Sequence, residues 1–193
     1  MITVIHIDLN KGDKTLHILH FGTVRLQSPV QTAQGELLPV RILSEHGETT
    51  IHNFAQAIIG EDPKQTTKSA IFDCAYASNE NYFLALIGLL EVVFINERLE
   101  LYARKKLHRN IEDDWGSFHM SVIPCEGGFV TLYEAAVAYF KADGSIKWQR
   151  LLSPHDYVLS YDSSTLQLRS DIYSDLGSGD WTIDLETGSC SKK

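Results

Sequence analysis

The sequence predicts an all-β protein, built as a small β-propeller-like arrangement of about four antiparallel sheets or hairpins, with an open β-sandwich as the alternative. Three observations point there. Short apolar runs rich in Val, Phe and Tyr, such as residues 129–133 (FVTLY) and 136–140 (AVAYF), suit pleated, half-buried strands better than helices. Hairpin-type turns fall near residues 12, 47, 97, 144 and 188, a recurrence on the scale of propeller blades, which run to about 45 residues. Residues 83–104 also align beneath residues 129–150 with one residue of slack, matching Leu86 with Leu132, Gly88 with Glu134, Val92 with Ala138, Phe94 with Phe140 and Leu101 with Trp148.

In chain order, residues 3–9 alternate as a strand, with Val4, His6 and Asp8 on one face, where His6 and Asp8 can pair. Asn10, Lys11 and Gly12 turn the chain into residues 15–21, the second arm of a hairpin. Residues 40–43 and 49–52 form a further hairpin around Glu45-His46-Gly47. Asn53 followed by FAQAII and Gly60 fits a short capped helix or a strand, and residues 61–68 (EDPKQTTK) form a loop. Strand-like text then continues through residues 70–75, 82–86, 89–95, 99–101 and 118–123. The most regular unit is residues 127–150, where Glu134 and Ala135 turn the chain and Ala142-Asp143-Gly144-Ser145 turns it again, Gly144 supplying a positive φ. Residues 158–161, 166–168 and 181–185 complete the strands.

The 193 residues suffice for one domain, residues 1–193, with internal repeats near 82–107, 127–152 and 155–193. Apolar residues make up 44% and charged residues 22%, an ordinary globular composition. The net charge of −8, from 25 acidic and 17 basic residues, repels phosphate backbones and anionic lipid, so neither nucleic acid nor membrane is an expected partner. The basic run Arg104-Lys105-Lys106 reads as the solvated end of a strand. The absence of a leader pattern and three dispersed cysteines predict a reducing cytoplasm.

Asp184-Leu185-Glu186-Thr187-Gly188 and Gly144-Ser145-Ile146-Lys147-Trp148 are two halves of the pattern Leu-Asp-x-x-Thr-Gly-x-x-x-Trp, and Asp8-Leu9-Asn10-Lys11-Gly12 matches the first half without its threonine. In these segments the chain resembles the quinoprotein-type (PQQ-like) β-propeller repeat, over about two thirds of its length. Departures are specific: no copy is complete, the segment at Asn96-Glu97 lacks both glycine and tryptophan, and Lys192 stands where the last repeat would place its Trp. The family's quinone, metal and catalytic residues have no matching positions, so the resemblance implies a scaffold and no cofactor.

The eight histidines are dispersed and lack ligand spacing, so no metal site is expected. Cys74 and Cys125 have no neighbouring histidine, and the serines at 160, 163 and 164 lack a glycine-flanked nucleophile pattern. Opposite Gly88 in the alignment, Glu134 reads as a turn position needing a special backbone. The acidic loop at residues 109–116 places Glu112, Asp113, Asp114 and Trp115 together, carboxylates beside an aromatic ring that can receive a basic side chain. Asp171, Asp175 and Asp180 form a second acidic loop without calcium-loop spacing. The expected function is a non-catalytic cytoplasmic interaction domain that binds a basic protein partner through acidic loops, as an antidote or immunity protein does. A glycan or small-ligand binder using Trp115, Trp148 and Trp181 is the alternative.

Overall fold

The computed structural model describes residues 1–27, 40–52, 54, 71–77, 82–88, 91–108, 121–133, 136–153, 156–172, 174 and 176–193. Among these the chain forms strands, one 3-10 turn at Leu9–Lys11, and no α-helix. The all-β expectation holds. The strands divide into two compact units, one within Thr3–Leu107 and one from the following strands to Lys193.

The first unit contains two sheets. Strands β2 (Lys14–Ile18), β3 (Gly22–Gln27), β4 (Val40–Ser44) and β5 (Gly47–Ile51) form an antiparallel meander. Strands β6 (Ile71–Ala77), β7 (Leu84–Ile87), β8 (Glu91–Ile95) and β9 (Leu101–Lys106) form a second, and β1 (Ile2–Asp8) lies beside β6. Alternation decides which side chains meet: Val24 and Leu26 point inward from β3 while Thr23 and Arg25 face out. They share one apolar core with Ile42, Leu84, Leu86, Val93 and Ile95, so the two sheets pack face to face.

The second unit repeats this plan with β10 (Ser121–Cys125), β11 (Gly128–Tyr133), β12 (Ala136–Lys141) and β13 (Ile146–Leu151) in one meander. Strands β14 (Tyr157–Tyr161), β15 (Thr165–Ser170), β16 (Gly179–Asp184) and β17 (Cys190–Lys192) form the other. Val130, Leu132, Val137, Tyr139 and Trp148 from the first sheet meet Leu166, Leu168, Ile183 and Leu185 from the second.

The Leu-Glu-Thr-Gly turn is the joint between these two sheets. Gly188 has φ +71, and an added Cβ would stand 2.6 Å from Trp148 Cγ, so only glycine lets the turn lie on the indole. Trp148 Nε1 donates to Leu185 O at 3.2 Å, Arg150 Nε donates to Gly188 O at 3.1 Å, and Lys147 pairs with Glu186.

Several expectations need correction. The first two strands do not make a hairpin: β1 sits beside β6, so its Ile5 and Ile7, with Leu9 of the 3-10 turn that follows, enter the core between the sheets. The turns near 47, 97, 144 and 188 do close hairpins, each joining the last two strands of a meander. Strands β11 and β12 are not half-buried, since nearly every residue from Gly128 to Phe140 that is described is buried on both faces, Thr131 included.

The correspondence of Leu101 with Trp148 also fails. Ala103 faces Phe94 across the β8–β9 ladder as Trp148 faces Tyr139 across β12–β13, each just before a bulge, while Leu101 pairs with Ile95 as Ile146 pairs with Phe140. Gly88 is not a left-handed position; the ring of Phe54 lies 3.0 Å from where its Cβ would be, so a close approach excludes a side chain there. The matching Glu134 lies outside the described residues, as do the proposed helix or strand after Asn53, except Phe54, and the loop at 61–68.

Candidate interaction surface

Glu112, Asp113, Asp114 and Trp115 lie outside the described residues, as do His119 and Asp175. Several of the described carboxylates close turns. Asp162 accepts from Ser164 N at 2.7 Å, Thr165 N at 2.8 Å and Ser164 Oγ at 2.8 Å. Asp143 accepts from Ser145 N at 2.8 Å, and Asp184 from both the backbone and hydroxyl of Thr187 at 2.7 Å. These three close Asx-type turns, in which a short acidic side chain replaces a missing backbone partner. Asp180 instead binds Arg169 across the β15–β16 ladder through two hydrogen bonds of 2.6 and 2.8 Å.

Backbone N–H donation holds the Asp162 carboxyl down at about 2, against an ordinary value near 4. Asp143 is lowered by its hydrogen bonding with Ser145, and Asp184 first by the hydroxyl and then by the backbone N–H of Thr187. A depressed folded value contributes stability that is full above the unfolded value and is lost as pH falls through the folded one. Acid destabilisation should therefore begin below about pH 4 and continue toward about pH 2. Urea midpoints measured across that range should fall less steeply for Asp162→Asn than for the wild-type chain.

Two groups with chemical potential are brought together without any sequence signal. His6 Nδ1 lies 2.6 Å from Asp73 Oδ1, an imidazole 65% exposed beside a carboxylate only 7% exposed, joining strands 67 residues apart. His6 does not pair with Asp8, which instead binds Lys11 at 3.3 Å across the 3-10 turn. Burial pushes the Asp73 carboxyl up, and the hydrogen bond and charge of His6 act against it. His6→Ala should move the Asp73 titration further upward, a change readable in the carboxyl carbon shift by NMR.

Other candidates resolve as structure. Burial pushes the Cys74 thiol up, with the Asp73 charge adding to it, and burial pushes Cys125 up to about 11, so neither sulfur is the thiolate that a nucleophile requires. All three cysteines are free. Trp148 is buried against Gly188 and donates its N–H to Leu185, so it offers no ring face to a ligand; Trp181 donates to Gly177 O at 2.9 Å with Lys192 over its ring. Arg104, Lys105 and Lys106 are all exposed, as a solvated strand end requires, and Arg104 is tied to Glu91.

The described surface with an unusual character is β14. It is the terminal strand of its sheet, bonded to β15, and Tyr157, Leu159 and Tyr161 are 51%, 42% and 52% exposed. A bulge explains part of this: Val158 faces Leu168 and Ser160 faces Gln167, leaving Leu159 without a partner in β15. Arg169 lies over the Tyr157 ring at 5.9 Å and donates to its hydroxyl at 3.3 Å, fixing that aromatic in place. Asp156 accepts from Ser153 N at 2.9 Å and from Asp171 N at 3.1 Å, which brings Ile172, 72% exposed, to the start of the same strand. The run YVLSY reads as a strand from sequence, but its place at the edge of a sheet is a matter of topology.

No protein-family model matches the chain, and no curated protein is significantly similar to it. Among the described residues no helix is long and apolar enough to cross a membrane, and no group of three or more His, Cys, Asp or Glu side chains could hold a metal ion.

Proposed function

We propose that this chain is a non-catalytic interaction domain of the cytoplasm, an acidic all-β scaffold that binds a basic protein partner in the manner of an antidote to a toxin or nuclease. The observation that carries this is β14, an edge strand with two tyrosines and a leucine exposed along its length where a lone surface apolar residue would be unremarkable. The net charge of −8 supports a basic partner, because opposite fields speed encounter and suppress wrong pairings. Free cysteines suit a reducing compartment. In the same reading the four meanders are degenerate propeller-type blades, and Glu112, Asp113, Asp114 and Trp115, which lie between β9 and β10 in the sequence, supply a second contact.

The test is affinity capture from the source lysate with the tagged chain and its Asp113→Asn/Asp114→Asn variant, at low and high salt. A basic protein retained at low salt, released at high salt and weakened by the double substitution is the expected result. Capture that ignores both salt and the two aspartates contradicts the proposal.

A further inference from the structure

We propose that the outer edge of β14 binds, by strand addition, an extended segment of a partner protein whose uncharged centre is flanked by lysine or arginine. The proposal rests on the interaction function above and specifies its partner. The starting point is a contrast among sheet edges. A terminal strand presents unpaired backbone N–H and C=O groups, and proteins guard such edges with charged residues, proline or bulges. Here β1, β2, β5, β9, β13 and β17 each carry an acidic or basic residue and β10 carries Pro124. Strand β14, with the sequence YVLSY, carries neither charge nor proline and has only the bulge at Leu159. Its exposed Tyr157, Leu159 and Tyr161 offer side-chain contacts to whatever completes the ladder.

Charge selects the occupant. Asp156 precedes the strand and Asp162 follows it, so a carboxylate stands at each end of the uncharged run. Asp162 is held at the turn by Ser164 and Thr165. A second copy of this chain fits poorly: antiparallel pairing centred on Leu159 would set Tyr157 against Tyr161 but also Asp156 against Asp162 at both ends, and like charges opposite one another are destabilising. A segment with basic residues beyond a short apolar or hydroxyl-bearing centre places opposite charges at both ends. Backbone bonds supply the affinity, and the two aspartates supply the choice of flanks.

The test uses the full chain and a labelled peptide, Lys-Lys-Thr-Val-Thr-Val-Thr-Lys-Lys, against the same peptide with glutamate flanks. The lysine-flanked peptide is expected to bind at least about tenfold more tightly at low salt, with the difference shrinking as salt rises. Leu159→Lys, at an exposed position unpaired with β15, should abolish binding while leaving the melting temperature near that of wild type. Asp156→Asn/Asp162→Asn should bind both peptides alike, which separates the role of the flanks from that of the edge. Equal affinity for the two peptides on the wild-type chain, or no binding of either, overturns the proposal. A lysate partner retained undiminished by Leu159→Lys overturns the β14 assignment alone and leaves the domain a protein binder. Failure to capture any basic partner, with the peptides binding as expected, overturns the function proposed above and leaves the strand-addition site standing.

Discussion

Replacing Gly188 with valine is expected to lower the unfolding free energy by about 2–6 kcal/mol, the sum of a left-handed backbone penalty and the overpacking of a filled site. At φ +71 a β-branched residue is strained before its side chain is placed. The Cβ would then stand 2.6 Å from Trp148 Cγ and 2.7 Å from Cδ2. The indole has little room to retreat, being buried among Tyr139, Leu166 and Ile183 with its N–H bonded to Leu185 O. Trp148→Ala alone should cost about 3–5 kcal/mol through the cavity it leaves. The double substitution should cost less than the two single losses combined, because removing the ring relieves the clash that valine creates. Urea unfolding of the four chains measures this. Additive losses would mean that the turn does not rest on the indole.

The second large effect concerns Glu91 and Arg104, and its sign of asymmetry is the informative part. Arg104 donates to both carboxylate oxygens, at 2.5 and 2.6 Å, and to His52 O at 2.8 Å. The Glu91 side chain is 9% exposed and that of Arg104 is 40% exposed. Removing the arginine therefore strands a buried charge, at a cost of about 3–5 kcal/mol, whereas removing the glutamate leaves a guanidinium that can reach water. Arg104→Ala should thus destabilise more than Glu91→Ala. Thermal melts of both variants test the order. Equal losses would show that burial does not govern this pair.

What was legible in the sequence was local. The turns around Gly47, Gly144 and Gly188 are written in glycine and short acidic side chains, and the structure uses those residues as turn chemistry requires, with Asp143 and Asp184 capping their own loops. Strand against helix was likewise decided by Val, Phe and Tyr in short runs. Sheet membership was not legible. Gly12 ends β1 much as a hairpin turn would, yet β1 joins β6 because Ile5, Ile7 and Leu9 find their core there and His6 finds Asp73. Burial on both faces of β11 and β12 is similarly invisible to alternation, since an apolar run gives no sign of whether its second face is covered.

The Leu101 and Trp148 pairing shows how one residue of slack misleads an alignment. The β8–β9 turn holds Leu99 at φ 61 with its side chain buried, where the β12–β13 turn holds Gly144 at φ 78, and Asn96 Oδ1 accepts from Arg98 N and Glu100 N. The two turns have the same length, Ile95 pairing with Leu101 as Phe140 pairs with Ile146, so Trp148 answers to Ala103 with no insertion between the hairpins. The candidate surface was hidden for a related reason. An uncharged run such as YVLSY is ordinary inside a sheet and becomes exposed only because β14 is terminal.

Residue-resolved amide hydrogen exchange on the free protein tests the central claim, that β14 presents an open edge. Amides of β15 and β16 should be strongly protected, as should those β14 amides that bond to β15, while the outward-facing β14 amides should exchange orders of magnitude faster. Uniform protection along β14, equal to that of β15, would show that the edge is already covered within the chain and would contradict the account.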